Sequence, residues 1–279
     1  MKKILLGIAL LIFGSLFAFW VWFPSSKQIK GCIKTTMFEV DLCPGTKSYV
    51  PLDRISKYLQ NSIILTEDSS FYQHNGFDQE GIERCYEKFL EKNKIVCGGS
   101  TITQQLAKNM FLSKNKTFVR KGIEALITIE IEKTLTKKEI LERYLNIVQF
   151  GKDIFGVKEA AQAYFKKSPA ALNVLESAFL AMVLPNPEKY SQSYYRKDLT
   201  RFARRRLAQI VENSHKYKRI STEEYLMAMD GLDSFLKAAK PVVVQKPDSV
   251  AEDVQDDTAS DADLTIEDLE KLESNETRD

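Results

Sequence analysis

Residues Ile4 to Phe23 are twenty consecutive positions without a charge. A helix of that length, rising about 1.5 Å per residue, spans about 30 Å, the thickness of a bilayer's hydrocarbon core. Lys2 and Lys3 precede the run, and Trp20 and Trp22 stand where an interfacial aromatic belt would lie. A cleaved signal peptide is the competing reading, but Phe19-Trp20-Val21-Trp22-Phe23 offers no small-residue cleavage site. The expectation is an uncleaved single-pass anchor, N-terminus inside and the rest of the chain outside. Lys27, Lys30 and Lys34 follow the span and soften the charge asymmetry behind that orientation.

The 279 residues, 44% of them apolar, can still bury a sizeable core once this segment is set aside. The reading divides the chain into a stub and anchor at 1–23, a tether at 24–46, a folded domain at 47–232 and an acidic tail at 233–279. The net charge of +2 hides an asymmetry: Asp248 to Asp279 carries thirteen acidic and two basic side chains, a net of −11, which leaves about +13 for the remainder. Such a field favours anionic partners: phosphates, pyrophosphates, nucleic acid or acidic lipid head groups. The tail cannot fold alone. Leu264, Ile266, Leu269 and Leu272 in it either stay solvated or form a helix on meeting a partner.

The domain reads as mainly α, because alternating strand patterns are scarce. Asn173 with Glu176 and Ser221 with Glu224 are capping boxes that each open an apolar run, and Pro185 and Pro187 end the first of those helices. Pro169 after Ser168 suits a first helical turn. Lys116 to Val148 is the longest helical stretch, with Val119, Ile123, Leu126, Ile127, Ile131 and Leu135 as its apolar positions and a second helix starting near Thr136. Cys32, Cys43, Cys85 and Cys97 contain no CxxC pair and no His at ligand spacing, which disfavours zinc. They form two short-range bridges, Cys32 with Cys43 and Cys85 with Cys97, or remain four thiols.

Four blocks hold the chemistry-bearing residues. They are Glu67 to Gly76 (EDSSFYQHNG), Gly98 to Asn109 (GGSTITQQLAKN), Arg120 to Glu124 (RKGIE) and Lys137 to Asn146 (KKEILERYLN). Singly, each has an ordinary account: a capped helix end, a glycine turn, or an i, i+4 surface pair such as Arg120 with Glu124. In this order and spacing they closely resemble the peptidoglycan glycosyltransferases, glycosyltransferase family 51, from about Pro51 to about Tyr190. The chain's length and its lack of a Ser-x-x-Lys, Ser-x-Asn and Lys-Thr-Gly set make it similar to the monofunctional members.

The resemblance implies a lysozyme-like domain with a large head lobe and a smaller membrane-proximal jaw lobe. It implies polymerisation of lipid-linked disaccharide-peptide (lipid II) into glycan strands, with inversion and release of a polyprenyl pyrophosphate. Glu67 then matches the catalytic base that activates a sugar hydroxyl, its pKa raised by partial burial. Lys108, Arg120 and Lys121 match the cations that hold the departing pyrophosphate. Glu124 matches the second essential glutamate, orienting those cations or holding a divalent ion (Mg2+ or Mn2+). Thr101, Gln105 and Lys108 share a helix face; with Ser100 and Asn109 they complete the substrate-binding set. Tyr144 and Asn146 read as supports, and His74 as a residue orienting the Glu67 loop. Gln79 to Val96 implies a mobile stretch over the cleft, and Phe111 and Leu112 either dip into the interface or pack in the core. The partners implied are lipid II, the growing lipid-linked chain and the membrane, with other wall-synthesis proteins reached through the acidic tail; the location is a bacterial inner membrane with catalysis on its outer face.

Three rivals carry other signatures. A glycan hydrolase needs paired carboxylates and water, without a cationic clamp. A silent scaffold has no use for the full charged set. Nucleic-acid binding rests on Arg201, Arg204, Arg205 and Arg206, which read more simply as a solvated helix face or a lipid contact.

Overall fold

The computed structural model describes residues 2–92, 99–115 and 117–237. The readings on Cys97, on residues 93–98 and on the tail from residue 238 lie outside them. The described chain is mostly helical. α1 (Lys2–Trp22) and α2 (Ser26–Lys30) lead into a hairpin of β1 (Ile33–Lys34) and β2 (Asp41–Leu42). Then come α3 (Lys57–Glu67), α4 (Gln79–Lys92), α5 (Ile102–Phe111), α6 (Phe118–Thr134) and α7 (Lys137–Ile147). A second small hairpin, β3 (Gln149–Gly151) with β4 (Ile154–Phe155), precedes α8 (Gly156–Ala160) and a π turn at Ala161–Phe165. The chain continues as α9 (Val174–Val183), α10 (Pro187–Tyr190), α11 (Gln192–Arg196), α12 (Arg201–Lys216) and α13 (Thr222–Gly231).

Side chains close the orphan amides that a helix N-terminus leaves. Thr101 with Gln104, Thr136 with Glu139, Asn173 with Glu176 and Ser221 with Glu224 each form a reciprocal capping box. α9 is buried along Leu175–Val183 and packs against α3 and α12, while α5 packs against both α6 and α7. Glu67 ends α3 and Thr101 caps α5, so the first two motif blocks are delivered by helix termini set in the core. At Gly76, with φ of +94°, a Cβ would stand 2.8 Å from Thr128 Cγ2, so only glycine lets this loop lie against α6.

Two expectations need correcting. Residues 24–46, read as a tether, are folded onto the domain: Ile29 and Leu42 are completely buried, and Cys32 is bonded to Cys43. Their apolar side chains, few but well spaced, find room between α2, β2 and the helices beneath. In α6, Ile127 and Ile131 are core, but Val119 and Leu126 are exposed, as is Phe118. The buried face of α6 is Glu124, Ile127, Thr128 and Ile131, so the apolar stripe is wider than the buried one. Leu112 is buried and Phe111 packs against the core. Cys85 is disulfide-bonded as well.

Among the described residues no helix is long and apolar enough to cross a membrane. Several α1 side chains fall outside that description.

Candidate active site

The base candidate comes first. Glu67, at the C-terminal end of α3, accepts a hydrogen bond from Gln105 Nε2 at 3.0 Å. Gln105 is fixed in turn, because Tyr144 Oη, fully buried on α7, donates to its Oε1 at 2.9 Å. Glu67 keeps part of its surface on the cleft, yet protein atoms crowd its carboxyl. Desolvation pushes its pKa above the ordinary glutamate value, against the Gln105 bond and the charges of Arg206 and Lys108.

The neighbouring loop is held by a second carboxylate. Asp68 is buried, accepts from Ile102 N–H at 2.9 Å, and faces His74 Nε2 at 2.8 Å. Gly76 N–H donates to His74 Nδ1 at 3.1 Å, which leaves Nε2 as the side that donates to Asp68. Thr101 Oγ1 donates to the Gly76 carbonyl at 2.7 Å. Thr101 is therefore a cap and a strut joining the first two blocks.

The cations gather around the second glutamate. Glu124 is buried on α6, with Lys121 Nζ at 2.5 Å from one oxygen and Arg120 Nη1 at 3.4 Å from the other. Lys121 also donates to Ser100 Oγ at 3.2 Å. Burial lowers the Lys108 pKa, opposed by Glu124 and reinforced by Arg120 and Lys121, with Glu67 raising it again. Lys108 thus lies within the electrostatic reach of both glutamates. Arg120 Nε is buried without a hydrogen-bond partner among the described residues. A cleft of about 230 Å³ is lined by Glu67, Asp68, Asp78, Arg84, Cys85 and Ser100, among others. Its wall joins the base candidate to Ser100, which Lys121 holds.

The structure therefore brings Glu67, Gln105, Lys108, Arg120, Lys121, Glu124, Ser100 and Thr101 into one region. Asn109 stands apart: it is buried, and its carbonyl accepts from Met37 N–H at 3.4 Å, a structural contact. Among the described residues no group of three or more His, Cys, Asp or Glu is placed to hold a metal. Both Glu124 oxygens already accept from cations, so these side chains do not fit a resident divalent ion, and no step below runs through one.

Arg206 is the residue that sequence reasoning missed. The arginine run on α12 reads from the sequence as a solvated face or a lipid contact, and Arg204 does meet Asp233 at 2.6 Å near the surface. Arg206 instead turns inward: desolvation lowers its pKa, and the charge of Glu67 raises it. The signal was present in the spacing. Position 206 lies three residues after buried Ala203 and four before buried Ile210, on the flank of the core stripe.

The transglycosylase family model matches residues 36–215, well over half of the chain and all four blocks. A biosynthetic peptidoglycan transglycosylase of Aromatoleum aromaticum is 49% identical over 146 residues, 52% of this chain and 64% of that relative. One from Chromobacterium violaceum is 46% identical over 165 residues, covering 58% and 72%. One from Methylobacillus flagellatus is 37% identical over 229 residues, covering 78% and 96%. The chain thus spans less than two thirds of some curated relatives and nearly all of another. With the family region spanning all four blocks and well over half of the sequence, this chain belongs to the transglycosylase family.

Proposed function

We propose that this protein polymerises lipid II into glycan strands at the outer face of a bacterial inner membrane. The observation that carries the reading is a desolvated carboxyl, Glu67, sharing Lys108 electrostatically with a cation cluster built on Glu124. A sugar hydroxyl is a poor nucleophile until a base takes its proton, and a carboxyl with a raised pKa accepts that proton more readily. The leaving pyrophosphate carries its own charge, so fixed cations stabilise it better than a general acid would. Arg120 supplies a fork of donors and Lys108 and Lys121 point charges. Attack from the face opposite the pyrophosphate inverts the anomeric centre.

The substrate's polyprenyl chain stays in the bilayer. The uncharged run from Ile4 lies in the 21-residue α1 as far as Trp22, and the described apolar side chains of α1 are mostly exposed, which supports an anchor that holds the cleft at the membrane surface. The jaw lobe is assigned to the α6 side of the cleft, where Phe118, Val119 and Leu126 are exposed. The acidic tail remains a candidate contact for other wall-synthesis proteins.

The test is polymerisation of lipid-linked precursor by the purified full chain, with and without chelator, beside a turbidity assay on finished wall. Strand formation without wall lysis is expected, and Glu67→Gln should abolish it. A folded Glu67→Gln variant that polymerises near the wild-type rate, or lysis without polymerisation, overturns the reading. Protease accessibility of the domain in intact and opened cells tests the orientation.

A further inference from the structure

The segment between α1 and the domain grips both helices that carry the cations. α2 packs against α6; Ser26 Oγ donates to Glu130 at 3.2 Å, and Thr134 Oγ1 donates to Ser26 Oγ at 3.3 Å. Arg143 on α7 donates to the Lys30 carbonyl at 2.6 Å. The hairpin that follows reaches α5. Thr36 N–H donates to the Met110 carbonyl at 2.9 Å and Met37 N–H to that of Asn109 at 3.4 Å. Those carbonyls belong to the last turn of α5, directly after Lys108, where a free helix end leaves them to water. Phe38, at the hairpin tip, stands 4.9 Å from the Phe155 ring, with Lys114 over its other neighbourhood at 5.2 Å.

The hairpin has little of its own to hold it. Its ladder is only Ile33 with Leu42 and Lys34 with Asp41, far short of an independently stable pair of strands. Cys32 and Cys43 flank that ladder and close it covalently. We propose that the strap Ser26–Cys43 is a positioning element for the cations around Glu124, and that formation of its Cys32–Cys43 bond sets the α5 end into its working place. The proposal rests on reading Lys108, Arg120 and Lys121 as a pyrophosphate clamp. Closure converts two thiols into one disulfide, while a donor disulfide takes up two electrons and two protons and leaves as two thiols. The full clamp geometry is then reached where disulfide donors prevail, outside the reducing cytosol.

The experiment compares the full-length wild type with Cys32→Ser/Cys43→Ser, both equilibrated with glutathione disulfide. It reads the affinity for inorganic pyrophosphate, polymerisation kinetics and far-UV circular dichroism. A helix end displaced by about 1 Å can cost on the order of a hundredfold in rate. The double variant should keep its helix signal, bind pyrophosphate at least about tenfold more weakly at unchanged stoichiometry, and lose kcat more than KM. Dithiothreitol should bring the wild type towards the variant. Phe38→Ala, with the disulfide intact, should give a smaller loss in the same direction. Equal pyrophosphate affinity in the oxidised wild type and the double variant overturns the proposal. So does loss of the helix signal or of binding stoichiometry, since the bond would then hold the fold alone. A wild type that binds pyrophosphate but never polymerises counts against the proposed function and leaves the strap's role measurable.

Discussion

Glu67 and Glu124 are the same side chain in two opposite settings. Glu67 takes its one close hydrogen bond from a neutral amide, Gln105, and meets cations only at longer range. Glu124 is clasped directly by Lys121 and Arg120. Burial without a close ion pair favours the protonated form of Glu67, whereas the Glu124 oxygens are taken up by contacts to two cations. One glutamate is thereby fitted to pick up a proton and the other to hold positive charges in place. Two carboxyl groups given separate environments is how a single site divides acid–base work from charge stabilisation.

Removing the proton acceptor should have the largest effect. Glu67→Gln is expected to lower kcat by about 10²- to 10⁴-fold. The same substitution makes a stability statement. A carboxyl with a raised folded pKa stabilises the fold below its ordinary pKa, and that contribution is lost as pH rises through the folded value. Thermal denaturation should therefore show Glu67→Gln gaining on the wild type above that window and matching it below. A variant less stable than the wild type at neutral pH would mean that the Lys108 and Arg206 charges outweigh desolvation.

Glu124→Gln should come next. It leaves Arg120 and Lys121 beside Lys108 without the carboxylate that pairs them. Breaking a buried pair costs about 3 to 5 kcal/mol, and the lower end applies because Lys121 keeps half its surface in solvent. Denaturant midpoints measure that loss, and pyrophosphate titration should show weaker binding. If Glu124→Gln behaved like Glu67→Gln, keeping its stability and losing only kcat, the contrast between the two glutamates would fail.

Much of this was legible in the sequence, for local reasons. Capping boxes at Asn173 and Ser221 involve residues three apart, so they read directly from the chain and recur in the fold. The second helix expected near Thr136 does begin there, and the structure adds a capping box of Thr136 with Glu139. Glu67, Gln105, Lys108 and Glu124 were legible because their blocks carry them at fixed spacing. What escaped depended on contacts distant in sequence. The strap looked polar and loose, and only packing shows Ile29 and Leu42 buried. Val119 and Leu126 satisfied a helical period, yet both side chains are exposed. Arg206 belonged to a charge run whose members part company once α12 is laid beside α3: Arg204 meets Asp233, and Arg206 feels the charge of Glu67.

Arg206 gives the next prediction in size. Its charge is the first of the cations lowering the Glu67 pKa, so Arg206→Gln should raise that pKa further. The acid limb of the rate–pH profile then moves to higher pH, while the rate well above it changes little through this route. The loss should appear only on the acid side, up to about tenfold there. Lys108→Gln should move the limb the same way, but with a lower plateau, since Lys108 also serves the leaving group. Identical profiles for the two variants would deny the separation of base and clamp.

The smallest effect tests the strut between them. Thr101→Ala removes the α5 cap and the bond to the Gly76 carbonyl, and cap loss costs about 1 kcal/mol. The Asp68 contacts to Ile102 N–H and His74 remain, so the loop should keep its place and the protein should unfold slightly earlier in denaturant. Because Thr101 touches neither glutamate in this structure, kcat should fall less than in Arg206→Gln at the same acid pH. A larger fall would show that the register of α5 against the Glu67 loop is set at Thr101. Lys108 and Gln105 would then take their positions from that single hydroxyl, more than from the packing of α5 between α6 and α7.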